Sequence, residues 1–354
     1  MRRYEILSYV VIGLVEALEP IVITGKYGRG AFYRALDYIP SSTLSGAIVF
    51  KLRSSEKLPE NLSELKESLT RNTIWLSNAY PIVDEVSLGI FDPLPLPLTT
   101  LALKDGRYVS SALIAAEVKK KRDLDVVKVL YELNPKVGRV FAYVEGNCVK
   151  IVSPYPKKVY TRVCLDLKTR TVFMSERNTG LLYTIEYVDV EEKPPRFIFR
   201  GVVDGEVLDF LKGGLELKVG SRRAQGYGLI RLSIRESMEL DKYLRERSLI
   251  IGKTLANGYL TVDVVTYLRN ERSLEKLGRI LYQRVRRDHV KKWLLNAFIL
   301  YRNVVYPGGV YVLEPNVGSD ELARLEVKPP DDPIVRLHGL DMLFFNNPIH
   351  FIQI

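Results

Sequence analysis

Nine residues in the second half of the chain, Gly220-Ser221-Arg222-Arg223-Ala224-Gln225-Gly226-Tyr227-Gly228, combine what is needed to grip a polyanion. Glycines at both ends let the backbone approach a ligand closely and take up positive φ. The N–H groups of such a turn and the guanidinium forks of Arg222 and Arg223 match phosphate oxygens, and Tyr227 offers a ring on which a base can stack. The spacing is not the G-x-G-x-x-G that follows a first strand, so a dinucleotide site is not indicated. A long hairpin that binds nothing would use the same glycines.

A second basic, glycine-rich segment lies near the N-terminus, Gly25-Lys26-Tyr27-Gly28-Arg29-Gly30, with Lys26 and Arg29 as its cations. It is followed by Ile39-Pro40-Ser41-Ser42-Thr43-Leu44-Ser45-Gly46-Ala47-Ile48, where a hydroxyl N-cap and helical apolar spacing predict a helix starting at Ser41 or Ser42. The first turn of such a helix presents free N–H groups, a natural place for phosphate. Asp37 sits between loop and helix, where a carboxylate activates a ribose hydroxyl, holds Mg²⁺ or simply ends a turn.

Other candidates are weaker. Arg284, Arg286, Arg287, Lys291 and Lys292 accompany a single acid, Asp288, and lead to Trp293; this is either a cationic groove with a stacking platform or a solvated basic face. The run Lys119-Lys120-Lys121-Arg122 is flanked by Glu117 and Asp123 and reads as a solvated face. Gly252-Lys253-Thr254 has the ending of a P-loop, but Arg247 stands where that motif requires glycine, so an ordinary turn is expected. Of the histidines, His289, His338 and His350, only His289 has a plausible acid–base role, and none has a partner at metal-ligand spacing. No catalytic residue, metal or cofactor is assigned.

Composition narrows the partner. The 354 residues carry 52 Lys+Arg against 42 Asp+Glu, a net charge of +10 that suits nucleic acid or an anionic membrane surface. With 47% hydrophobic and 27% charged residues, the chain is neither disordered nor collagen-like. Two cysteines, Cys148 and Cys164, cannot form a disulfide framework or a four-thiolate zinc site, which points to a reducing compartment. Apolar stretches such as 9–15 and 294–300 fall short of the roughly 20 residues of a spanning helix, and no secretory signal is evident, so a cytoplasmic protein that does not engage membrane is expected.

The elements that must position these residues read as α+β. Strand texture covers 4–24, 160–165, 181–188, 215–219 and 227–234, with a short helix at 207–211. A capping-box spacing, Asn61 to Glu64, predicts another helix. Four prolines between 81 and 97 exclude a helix or central strand there, leaving an insertion. A polar loop with Lys168, Arg170, Arg177 and Asn178 separates two strands. After residue 234 helical patterns at 239–247 and 274–282 flank a strand at 259–267, a later strand covers 309–313, and 291–305 fits helix or strand. The length and the change of texture place a boundary at 235–245, giving units 1–240 and 241–354.

Several of these segments resemble the CRISPR-associated RAMP superfamily. Residues 39–47 look like its I-P-x-S-x-L-x-G helix opening, and 220–228 like its glycine-rich loop. The stretch Tyr160-Thr161-Arg162-Val163-Cys164-Leu165-Asp166, with Thr179-Gly180-Leu181-Leu182-Tyr183 and Glu186, is similar to its R-x-x-I-D … G-x-L-Y-x-x-E region, and Pro307-Gly308-Gly309-Val310-Tyr311 to its P-x-G-S-v-y segment. The chain departs in having Ser41 where many members have glycine and Gly309 where serine is common. The resemblance implies tandem ferredoxin-like (RRM-like) domains, the first with a proline-rich insertion near 79–104. It implies a structural subunit of a type III, III-D-like, effector complex that holds the 5′ handle of the CRISPR guide RNA in antiviral defence, rather than an enzyme. Its partners would be guide RNA, target RNA, other RAMP backbone subunits and a large polymerase-like subunit. Lys26, Arg29, Ser41, Ser42, Gly220, Ser221, Arg222, Arg223, Gly226, Tyr227 and Gly228 would form the RNA surface. The rival readings are a RAMP endoribonuclease acting through Asp37 or His289 and an interaction protein that binds no RNA.

Overall fold

The computed structural model describes residues 7–351 except 28–31, 84–87, 147, 295–296 and stretches within 60–71, 98–140 and 164–181. The first unit contains β1 (Ser8–Ala17), β2 (Thr24–Tyr27), β3 (Phe32–Ala35), α1 (Ser41–Ser54), β4 (Ile74–Leu76), β5 (Lys157–Val163), β6 (Leu182–Val188), β7 (Arg196–Asp204), α2 (Gly205–Lys212), β8 (Leu215–Lys218) and β9 (Leu229–Glu239). Its main sheet is antiparallel with strand order β8-β9-β1-β7-β4. A smaller sheet, β5-β6-β3-β2, stands beside it.

β1 and β7 are apolar on both faces because both faces are covered. Val11, Val15, Phe197, Phe199 and Val203 meet α1 and α2 through Leu44, Ile48, Leu52, Val207 and Leu211. On the opposite face Val10, Ile12, Ile198 and Val202 meet Trp75, Tyr80 and the proline-bearing segment through Ile90 and Leu94. The prolines lie where a missing N–H is tolerated: Tyr80–Pro81 and Leu96–Pro97 are two-residue strands at sheet margins.

The second unit follows without a linker, α3 (Leu240–Leu255) starting where β9 ends. It continues with β10 (Leu260–Val264), β11 (Gly278–Arg284), β12 (Arg287–Leu294), β13 (Ala297–Val305), β14 (Val310–Pro315), α4 (Ser319–Val327), α5 (Pro333–Leu337) and β15 (Leu343–Phe345). The sheet order is β15-β10-β14-β11, again antiparallel, and β12–β13 form a separate two-stranded ribbon. The two sheets share a core arrangement: in the first β9 flanks β1, β1 flanks β7 and β7 flanks β4, with β8 added outside β9, and in the second β15 flanks β10, β10 flanks β14 and β14 flanks β11. The chain is thus α+β. No helix among the described residues is long and apolar enough to cross a membrane.

The units share a core. Tyr243 of α3, Val327 of α4, Met342 and Phe344 complete the second cluster on the β1–β7 sheet. Within it lies a charged knot in which Glu326 of α4 accepts from Arg200 of β7 (3.0 Å), from Arg247 of α3 (3.0 Å) and from the Tyr243 hydroxyl (2.8 Å), all buried.

Two expectations are corrected. Residues 274–282 are not helical: a 3₁₀ turn, Glu271–Lys276, leads into β11. Leu274, Leu277 and Leu281 have helical spacing, but Leu274 and Leu277 pack in one core cluster from the 3₁₀ turn and its end while Leu281 packs in another from β11, and the space where a Gly278 side chain would begin is occupied by the Glu314 carbonyl. Gly252-Lys253-Thr254 forms the closing turns of α3 rather than a loop. The ambiguous 291–305 belongs to the β12–β13 ribbon. The helix expected from Asn61 and the cationic residues 119–122, Lys168, Arg170, Arg177 and Asn178 fall wholly or mainly outside the described residues.

Candidate nucleic-acid interface

The glycine-rich segment is the turn of the β8–β9 hairpin, and positive φ is distributed along it: Gly220 at 75°, Arg222 at 61°, Gly226 at 80° and Gly228 at 88°. Two of these glycines are also demanded by space. A Cβ on Gly220 would stand 2.4 Å from the Val22 carbonyl oxygen, and one on Gly228 2.1 Å from that of Val219. Main-chain bonds fix the turn: Ser221 N–H donates to Val22 O (2.9 Å), Gly228 N–H to Pro20 O (2.9 Å) and Val219 N–H to Gly228 O (2.8 Å). The loop is therefore tied to the β1–β2 connection, and β2 carries Lys26. Arg29 lies outside the described residues.

So held, the turn lies against the face of the smaller sheet. The Arg222 guanidinium covers the Tyr183 ring, 5.1 Å from its centroid, and Tyr227 meets Tyr187 edge-on at 5.8 Å. Arg222 and Arg162 both donate to the Gln225 side-chain oxygen, at 3.2 and 2.9 Å, and Arg162 also stacks on Tyr160 at 4.8 Å. Tyr33 of β3 adds an edge contact to Tyr183. Arg162 Nε is buried without a hydrogen-bond partner. Arg223 and Ser221 are exposed on the turn. Cations interleaved with tyrosine rings on a strand face suit a single-stranded nucleic acid, whose phosphates take the guanidiniums and whose bases take the rings.

Arg162 and Tyr183 fall in the segment that resembles R-x-x-I-D … G-x-L-Y-x-x-E, yet neither they nor Tyr160, Tyr187 and Tyr33 are among the residues expected at the RNA surface. Their signal is the strand alternation itself: Tyr183 and Tyr187 share a face by period two, and Arg162 pairs with Tyr183 across β5–β6.

The helix start behaves differently from the expectation. Pro40, not a hydroxyl, is the N-cap, and Ser41 is enclosed: its N–H donates to Asn78 Oδ1 (3.0 Å) and its hydroxyl to the His338 carbonyl (2.8 Å). Ser42 accepts from Lys292 of β12 at 3.1 Å. The N-terminus of α1 is where the second unit docks on the first, so its first turn faces protein. Burial pushes the Lys292 ammonium down to about 8.

The acid–base candidates are likewise engaged. Asp37 pairs with Lys157 Nζ at 2.6 Å, and His289 Nδ1 accepts the Asn303 N–H. No group of acids, histidines or cysteines among the described residues could hold a metal. His350 is buried against Asp263, 2.7 Å away. His338 lies between the Tyr301 hydroxyl and the Trp293 carbonyl; burial, and then the Lys292 charge, bring its pKa down to about 4. A folded pKa below the unfolded value of 6.5 means that the unfolded chain binds the extra proton between those limits, so stability rises with pH from about 4 to 6.5 and is lost on acidification. Urea unfolding across that range is expected to show this slope in the native protein and a flatter one in His338→Gln.

The fold and this surface define an α+β protein with a basic, tyrosine-rich face gripped by a glycine-rich hairpin. No family model matches the sequence, and no curated protein matches it. Solved structures with detectable likeness include the type III-B Cmr-beta complex bound to cognate target RNA, at 13% identity over 85% of this chain and 86% of the other with a TM-score of 0.45. The same complex with target RNA and AMPPnP gives 12% identity over 85% and 86%, with a TM-score of 0.44. Cmr4 (Cas7) of Pyrococcus furiosus gives 17% identity over 65% and 99%, with a TM-score of 0.25. All three scores are below 0.5, and it is this chain's own residues that carry the functional reading.

Proposed function

We propose that this chain is a single-stranded RNA-binding scaffold built from tandem ferredoxin-like units, a RAMP-type subunit that holds the 5′ handle of the guide RNA in a type III CRISPR effector complex. Guide RNA, neighbouring backbone subunits and the large polymerase-like subunit would be its partners, with target RNA passing nearby. In both units the last strand of the sheet flanks the first, the first flanks the third and the third the second, which supports the tandem. The observation that carries the RNA reading is the glycine-rich turn, tied through Pro20 and Val22 so that Arg222 and Tyr227 lie on the Tyr183–Tyr187 face while Arg223 is left in solvent.

The test is the double variant Arg222→Ala/Arg223→Ala with labelled RNA carrying a repeat-derived 5′ handle. Affinity is expected to fall at least roughly tenfold, because hydrogen bonds to charged groups are worth about 1.5–3 kcal/mol each. The plot of log K against log salt should flatten by about 0.7 for each phosphate of the single strand that no longer meets a guanidinium. Unchanged affinity and slope would remove the site. Equal binding of RNA with and without the handle would remove the handle specificity. Cleavage of the labelled RNA that disappears in Asp37→Ala or His289→Ala would instead favour the endoribonuclease.

A further inference from the structure

The β12–β13 ribbon is held to the second unit by one face only. Val290, Tyr301 and Lys292 point inward, the first two packing in the cluster of Tyr267, Val304, Val335 and Leu340 and the Lys292 ammonium lying 5.0 Å from the Tyr267 ring centroid. The other face is left to solvent, and strand alternation puts His289, Lys291, Trp293, Phe298, Leu300 and Arg302 on it, all exposed. Trp293 is 71% accessible and Phe298 50%, two neighbouring rings of types that are mostly buried in folded proteins.

These side chains are organised among themselves. Trp293 and Phe298, opposite each other across the ribbon, meet edge-on with centroids 5.9 Å apart, and the Lys291 ammonium stands 4.9 Å from the Phe298 ring. Lys291 and Arg302 are the cations of this face that pair with no carboxylate among the described residues; Arg287, at the end of the same alternation, pairs with Glu271, and Asp288, the acid on β12, lies outside the exposed alternation. A protein-docking patch concentrates apolar area and excludes charge at its centre. Here lysine and arginine alternate with rings along a narrow ribbon, the arrangement that takes phosphates and unstacked bases together.

We infer that the Trp293/Phe298 face of this ribbon is a second single-stranded RNA contact, on a different sheet from the glycine-rich turn, where bases stack on the two rings and Lys291 and Arg302 take adjoining phosphates. It rests on the proposed RNA-binding role and adds a place where the strand continues across the second unit.

The chain has two tryptophans, and Trp75 is fully buried, so solvent-quenchable emission reports on Trp293. Fluorescein-labelled oligouridine titrated into the full chain gives binding by anisotropy, and the unlabelled oligomer gives tryptophan emission in parallel. The expected result is quenching that follows the binding curve, is absent in Trp293→Phe, which removes the reporting indole, and persists at saturation in Arg222→Ala/Arg223→Ala. Trp293→Ala/Phe298→Ala should lose at least roughly tenfold in affinity, the scale of one stacked base. Binding by anisotropy with unchanged Trp293 emission would overturn this inference and leave the glycine-turn site standing. No binding at all would overturn both. An emission shift that follows protein concentration without RNA would make the ribbon a protein contact and overturn the inference.

Discussion

Glu326→Ala is expected to destabilise the folded chain by about 3–5 kcal/mol, seen as a lower urea midpoint. The magnitude comes from what the substitution leaves behind. Arg200 and Arg247 are each at least nine-tenths buried, and Glu326 is their common carboxylate. Arg200 keeps bonds to the Ile90 and Asp92 carbonyls and Arg247 one to Phe345, with the Phe344 ring against both guanidiniums, but two cations would remain in a closed core without a counter-charge. Removing one partner of a buried ionic group costs far more than the group contributes when intact, because the uncompensated charge has no water to return to. Because Glu326 links β7 with α3 and α4, its removal should loosen the joint between units. Glu326→Gln, which retains an acceptor and the shape, should cost clearly less. A cost below about 1 kcal/mol for the alanine variant would mean that the arginines reach water and the knot is open.

The second large effect falls on the glycine-rich turn. Gly228→Ala should lower RNA affinity at least roughly tenfold and destabilise the hairpin by a few kcal/mol, whereas Gly226→Ala in the same loop should cost about 1–2 kcal/mol and leave most binding intact. Both glycines have positive φ, at 88° and 80°. Only Gly228 is also crowded by backbone: its Cβ would stand 2.1 Å from Val219 O, whereas Gly226 has open space around the corresponding position. To admit the methyl group the hairpin must part at the Val219–Gly228 bond, which moves Arg222 and Tyr227 off Tyr183 and Tyr187. Thermal melting and labelled-RNA binding of the two variants check this directly. Similar behaviour in both would show that crowding, as distinct from φ, contributes nothing to the turn.

Much of the architecture is legible in the sequence because it is local. Continuous apolar runs mark β1 and β7, apolar spacing after Pro40 marks α1, prolines keep 80–81 and 96–97 at sheet margins, and paired glycines mark the β8–β9 turn. Local readings fail where tertiary packing supplies the deciding term. The spacing of Leu274, Leu277 and Leu281 imitates a helix although a 3₁₀ turn and a strand carry them, and Gly252-Lys253-Thr254 continues α3 because that helix packs on α4 as a whole. The basic ribbon is marked by its residues without its conformation being decided, since 291–305 has apolar positions compatible with either period.

The sequence by itself determined the α+β class, the excess of positive charge, and the glycine and arginine chemistry of residues 220–228, all of which depend on residue type and near-neighbour spacing. Only the tertiary structure decided which of those residues share a surface. It set Arg222 and Tyr227 beside Arg162, Tyr183 and Tyr187, each on a strand remote from the turn in the chain, and closed Ser41 under His338 and Gly339. Such pairings follow from sheet register and from the burial of whole faces, which are sums over distant segments and leave no signature at any one of them.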